Sequence, residues 1–202
     1  MITSARRVVP VSIVLGLMLL VSGCSIALNH EELPSPPRTY SDPIAVSSRA
    51  EGLEHRVGWG RCTVFYIPCV PIHIQGDASA EVMQQVSDAL QRAGYKVTVV
   101  ETQAPPNTPE LKCHVDTFYF NNYTWLFPFV PTWGDIDLTL TLQRGGQSEW
   151  TQTFHGHGWS ANFFDGYSSA SNKALAEVLD QMVQAFGSDG FHNALTQAPR
   201  QV

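Results

Sequence analysis

Two histidines at alternate positions, His155-Gly156-His157, are the residues of this chain best spaced for metal chemistry. On a β-strand, side chains two apart leave the same face. Both imidazoles would then share one surface, and a third ligand such as His73 or His114 would complete a zinc site suited to hydrolysis. The competing expectation is of polar histidines at a strand end beside flexible glycines. It is preferred, because no third ligand is fixed by spacing and there is no His-Glu-x-x-His. No metal and no cofactor are therefore assigned. Asp135 and Asp137 also share one strand face, but acid/base work by a carboxylate pair requires one partner to be desolvated. Alternating acids on a wet face serve solvation. The chain contains no Gly-x-Ser-x-Gly, no Gly-x-x-x-x-Gly-Lys, no Gly-x-Gly-x-x-Gly and no Cys-x-x-Cys, so a non-enzymatic protein is expected.

The most unusual composition lies between Asp116 and Asp135. No charged residue intervenes, and Phe118, Tyr119, Phe120, Tyr123, Trp125, Phe127, Phe129 and Trp133 concentrate there. As a wet loop this segment would expose several hundred Å² of apolar surface, roughly the largest patch a monomer carries without a purpose. Three uses compete: a lid folded back over the core, a contact with another protein, for which Trp, Tyr and Phe are the usual anchors, or insertion into a membrane interface or around an acyl chain. The contact residues assigned are Phe120, Tyr123, Trp125, Leu126, Phe127, Phe129 and Trp133.

The elements that must position these residues follow from periodicity. Thr63–Ile67 and Cys69–Ile74 form a β-rich run broken by Pro68 and Pro71, hence a broken or edge strand. Val82, Val86, Ala89, Leu90 and Ala93 trace one helix face, with Asp77 or Ser79 as cap and Gly94 at the stop. Tyr95–Glu101 then reads as a strand parallel to the first. Residues 104–110 are a loop and Lys112–Phe120 a third strand. Asp135–Leu142 alternates with period 2, and Gly145-Gly146 turns the chain into a hairpin partner over Glu149–Gly158. Ala170, Ala174, Leu175, Val178, Leu179, Met182, Val183 and Phe186 mark a final amphipathic helix, capped by Ser168, Ser169 or Ser171 and stopped by Gly187. With one apolar stripe per helix and one apolar face on the best strand, an α+β two-layer sandwich is expected. It has a mixed, mostly antiparallel sheet in the order β-α-β-β-β-β-α and both helices on one face.

The first 24 residues run from Arg6-Arg7 through an apolar stretch, Val8 to Val21, to Val21-Ser22-Gly23-Cys24. The apolar stretch has the length of a secretory h-region, about 7–15 residues, not the ~20 of a membrane span. The order resembles a bacterial lipoprotein signal peptide with its lipobox. That resemblance implies cleavage before Cys24, acylation of Cys24, an anchor in the membrane and, with Ser25 rather than Asp at the next position, sorting to the outer membrane facing the periplasm. Multiple acyl chains give durable anchoring where one is marginal. Residues 1–23 are then the signal and 24–58, rich in proline and serine, a tether. Residues 59–198 form a single domain.

Losing Arg6 and Arg7 leaves 10 basic residues against 18 acidic ones, a charge of −8, so nucleic acid is excluded as a partner. In an oxidising compartment Cys62, Cys69 and Cys113 suggest one disulfide and one spare thiol. An extended strand would hold Cys62 and Cys69 roughly 23 Å apart, beyond bridging distance, which makes Cys113 one partner. Three buried, unpaired cysteines acting as small apolar residues is the alternative.

Lipobox, spacer, β-α-β, further strands and a last amphipathic helix together resemble the YajG-type lipoproteins and the PqiC-type auxiliary lipoproteins of lipid-transporting ABC systems. The resemblance implies a non-enzymatic accessory protein. The function expected is an outer-membrane-anchored binding or assembly module for an envelope protein partner. The alternative is a lipid-binding carrier or auxiliary subunit of a lipid transport system.

Overall fold

The alternation over Asp135–Leu142 is the centre of a longer strand, because the polar/apolar pattern persists to both sides of it. The computed structural model describes residues 25–26, 39–40, 43–53, 56–61, 68–74, 76–102, 104–105, 107–123, 131–161 and 166–196. Eight strands are seen: β1 (Ser25–Ile26), β2 (Pro43–Ser47), β3 (Arg56–Arg61), β4 (Pro68–Ile74), β5 (Lys96–Val100), β6 (Glu110–Tyr123), β7 (Thr132–Arg144) and β8 (Gln147–Ser160). Helix α1 (Ala78–Arg92) lies between β4 and β5, and α2 (Gly166–Phe186) and α3 (Asp189–Thr196) follow β8. This is the expected α+β two-layer arrangement with a mixed sheet, with α1 and α2 packed against each other and against the sheet. No helix among the described residues is long and apolar enough to cross a membrane.

Strand β6 organises the sheet. One edge pairs antiparallel with β7 along its length, and β7 pairs antiparallel with β8. The other edge is divided: its start pairs parallel with β2 and its end parallel with β3. Beyond β2 lies β5, in parallel register, and beyond β3 lies β4, antiparallel, with β1 outside it.

Two expectations are corrected here. Residues 24–58 are not all tether: β2 is inserted between β5 and β6, with Ile44 and Val46 at 0 % exposure, so the domain starts well before residue 59. The parallel neighbour of β5 is accordingly β2 and not the proline-broken strand before α1, which becomes β4 and pairs with β3.

Both helix boundaries have local causes. Asp77 accepts a hydrogen bond from the amide of Ala80 at 3.2 Å, as an N-cap does, and Gly94 takes a positive φ of 97° just past the last turn of α1. Helix α2 starts at Gly166, ahead of the serines expected to cap it, and its end is marked by the Gly187 amide bonding Val183 O at 3.1 Å. The short α3 closes the end of the core. Phe191 meets Trp150 and Phe186 with ring centroids 4.9 Å away in each case, and Tyr95 at 5.5 Å. Tyr95 also stacks on Tyr40 at 4.4 Å and donates its hydroxyl to the carbonyl of Phe186 at 3.1 Å.

Cys113 faces this core from β6 as a free, buried thiol, so the bridge expected through it is not made. Cys62 and the side chain of Cys69 lie outside the described residues. Burial, with the nearby Asp116 carboxylate adding to it, pushes the Cys113 thiol up to about 12. Since the thiolate is the reactive form, Cys113 is expected to resist alkylation at pH 8 in the folded protein and to react fully in denaturant. Mass spectrometry of peptides after timed iodoacetamide treatment would show it.

Candidate functional site on the open face of the sheet

Alternation sends every second residue of β6, β7 and β8 away from the helices, and what emerges there is ordered in rows across the strands. Asp135 lies opposite His157, and Asp137 opposite His155. The carboxylates use that register: Asp137 Oδ1 is 2.6 Å from His155 Nδ1, and Asp135 Oδ1 is 2.7 Å from His157 Nδ1. The hydrogen bond to Asp137 raises the pKa of His155 above its ordinary value; burial opposes this, and the charges of Asp137, Asp135 and Glu177 add to the rise. Next to these pairs, Thr139 donates to Asp116 at 2.6 Å and meets Thr153 at 2.9 Å.

Aromatic rings flank the polar rows. Tyr119 stands opposite Asp135, and Trp133 opposite Trp159. Trp159 is 54 % exposed and Tyr119 42 %, which makes them two of the three large hydrophobic residues left open to solvent among the described residues. Trp133 is half-buried beside them.

The glycines that alternate with the histidines face the other way. Where His155 and His157 point to solvent, Gly156 and Gly158 point into the sandwich against α2. The two residue types of the His-Gly-His-Gly run therefore serve opposite faces of one strand.

The side chains Lys173, Glu177 and Gln181, one turn apart on α2, reach the outer edge of β8. Lys173 Nζ donates to Trp159 O at 2.9 Å, the His157 amide donates to Glu177 Oε2 at 2.9 Å, and Gln181 Nε2 donates to His155 O at 2.6 Å. They hold the strand that carries both histidines.

Of the contact residues assigned from sequence, Phe120 is corrected: it is fully buried, packed on Phe118 at 5.7 Å. The cause is a bulge. Val115 pairs with Leu138 but Thr117 pairs with Asp137, so Asp116 is an extra residue that shifts the inward set from 111, 113 and 115 to 118, 120 and 122. Trp133 lies on the open face as described. The side chain of Tyr123, together with Trp125, Leu126, Phe127 and Phe129, lies outside the described residues, as does Cys24. Tyr119 and Trp159 were not assigned, although strand parity alone places Trp159 on the same face as His155 and His157.

No group of three His, Cys, Asp or Glu among the described residues could hold a metal ion. His114 stands 3.9 Å from Asp116, on β6, and His73 is on β4, across β3 from that strand. Neither histidine pair bonds a serine hydroxyl or a cysteine thiol among the described residues. The arrangement supplies oriented hydrogen-bonding groups and aromatic faces on a flat surface.

The sequence matches no protein-family model and no curated protein. Solved structures do share its fold. A protein of Xanthomonas campestris from the family DUF330 aligns over 86 % of this chain and 96 % of its own, at 15 % identity, with a TM-score of 0.54. A protein of Helicobacter pylori described as a homologue of the neuraminyllactose-binding hemagglutinin aligns over 84 % of this chain and 97 % of its own, at 10 % identity, with a TM-score of 0.53. A minor lipoprotein of Acinetobacter baumannii aligns over 77 % of this chain and 96 % of its own at 8 % identity, with a TM-score of 0.37. The first two show the fold alone.

Proposed function

We propose that this chain is a non-enzymatic binding module of the bacterial envelope, held by a lipidated Cys24 at the periplasmic face of the outer membrane, that engages a protein partner through the open face of β6, β7 and β8. The observation that carries the reading is the exposure of Tyr119 and Trp159, with Trp133 alongside, on a sheet face that no described helix covers. Exposed aromatics next to satisfied polar groups are the composition of an interface core with its rim. The lipobox-like segment supports the anchor. The cleft of about 210 Å³ beside Asp116 and Tyr119 is open and partly polar, in keeping with a surface contact.

Replacing Tyr119 and Trp159 together by Ser is expected to lower recovery of the partner in a crosslinking pull-down from cells by at least tenfold. An aromatic anchor of an interface is worth about 2 kcal/mol or more, while the fold, which leaves about half of each ring open, is expected to stay cooperative and folded. Undiminished recovery with a folded variant would sink the proposal. Cys24→Ala in the same cells is expected to move the chain out of the membrane fraction.

A further inference from the structure

Two of the outer edges of the sheet, at β8 and at β5, are treated in opposite ways. At β8, the Lys173, Glu177 and Gln181 side chains occupy one main-chain group on each of three successive outward residues, Trp159, His157 and His155, so an incoming strand would have to displace all three. An edge so covered is protected against pairing. Among the described residues β5 pairs with β2 alone, and no side chain bonds its outer main-chain groups. Its sequence, Lys96-Val97-Thr98-Val99-Val100, is four β-branched residues in a row after one lysine, and Val99 is 60 % exposed, the most open large hydrophobic residue described.

The parallel ladder determines which groups of β5 are free. The Val100 carbonyl turns inward, accepting from the Ser48 amide at 2.9 Å. Both main-chain groups of a residue in a parallel strand point to the same side, and the side alternates along the strand. Val97 and Val99 therefore direct their N–H and C=O outward, away from β2.

We infer that β5 receives the β5 strand of a second copy of this chain, antiparallel and centred on Thr98. A two-fold axis perpendicular to the sheet permits only registers in which a residue meets its own counterpart or a residue of the same face. Centring on Thr98 is the register in which the side chains match. Val97 of each copy then meets Val99 of the other in a hydrogen-bonded pair that uses the free outward groups, and the exposed Val99 side chain is covered by Val97. Thr98 meets Thr98, a favourable cross-strand pair, at the close non-hydrogen-bonded position. Centring on Val99 instead would set Val97 against Glu101. The sheet would become continuous through the dimer, with both protected β8 edges outermost. The contact is short. Tethering both copies to one membrane through the proposed lipid anchor raises their effective concentration, but the pairing itself does not depend on that anchor.

The test uses the full chain in its membrane and after detergent extraction. At a non-hydrogen-bonded antiparallel pair the Cα atoms lie about 4.5 Å apart, within disulfide reach. Thr98→Cys is therefore expected to yield a disulfide-linked dimer on mild oxidation, read on non-reducing gels at several times the yield of Lys96→Cys. Adding Val99→Lys is expected to abolish the band while leaving the melting temperature of the exposed-site variant within a few degrees of the parent. No excess of dimer for Thr98→Cys in either setting overturns the inference, as does a band that survives Val99→Lys. A strongest band from Val99→Cys overturns the register, and a crosslink to a different protein overturns the second copy as occupant. Dimer in the membrane that vanishes at every detergent dilution would bear on the anchor, and dimer in both settings with loss of the Tyr119 and Trp159 contact would separate this pairing from the proposed function.

Discussion

A chain beginning at residue 59 is expected not to fold, and one beginning at residue 39 to fold cooperatively, in circular dichroism melts of the two purified proteins. The five residues of β2 make up most of the difference, with Tyr40 and the first half of β3 lost beside them. Ile44 and Val46 are at 0 % exposure and Ala45 at 2 %, and full burial of an Ile or Val contributes about 1.5–3 kcal/mol each. Removing β2 also strips β5 of its partner among the described strands and leaves the start of β6 open along one edge. Leu111, the register partner of Val46 on β6, would gain water at the same time. Against a total stability of roughly 5–15 kcal/mol, losing two buried aliphatic residues and two strand pairings is sufficient to unfold the domain. A shorter probe of the same point is Val46→Asp in the full chain. It places an unpaired carboxylate in the core, and the variant is expected to accumulate in the insoluble fraction. A cooperative melt from the chain starting at 59 would show that β2 is an accessory to the fold and not part of its centre.

That β2 escaped the sequence while β7 did not has a physical basis. Residues 135–142 alternate because one face of β7 is wet, and alternation is a visible signal. Strand β2 is covered on both faces at Ile44, Ala45 and Val46, so it shows a short apolar run with no period, in a setting of serines and prolines that reads as linker. The helices were legible because their stripes span several turns and Asp77 and Gly94 punctuate α1. The short α3 offers too few turns for a pattern.

The candidate site was half legible for a different reason. The histidine pair and the aspartate pair could each be seen, but their meeting depends on a register that a plain hairpin does not give. Counting from Gly145-Gly146, Arg144 meets Gln147 and Gln143 meets Ser148, and continuing so would put Gly156 opposite Asp135. Instead Leu142 meets Trp150, with Glu149 as the extra residue of a bulge, and the shift by one brings His157 to Asp135 and His155 to Asp137. A one-residue slip of register turns a strand over, so the bulge at Glu149 and the one at Asp116 together set what this face displays. Neither bulge carries a glycine or proline to announce it.

The glycines of β8 lead to the largest effect expected of a single methyl group. A Cβ on Gly158 would overlap the carbonyl oxygen of Ala170, and one on Gly156 would overlap the carbonyl oxygen of Ala174 and come within 2.8 Å of Val178 Cγ2. The nearest of these neighbours are backbone atoms of α2 rather than the ends of flexible side chains, and Ala170, Ala174 and Val178 are themselves fully buried, so relief requires moving the whole helix off the sheet. Such a shift would also pull Lys173, Glu177 and Gln181 from the β8 edge. Overpacking of a core costs about 1–3 kcal/mol and occasionally more, and a clash with helix backbone belongs at the upper end. Gly158→Ala is therefore expected to destabilise the protein by about 3 kcal/mol, lowering the melting temperature by roughly 6–12 °C for a domain of this size. Gly146→Ala, at the β7–β8 turn, meets nothing within 4 Å and serves as the contrast: its cost is limited to the strain of φ 81°. If Gly158→Ala melted with the parent while Gly146→Ala did not, the close approach of α2 to β8 would be wrong. The glycines would then be there for the flexibility that the sequence alone suggests.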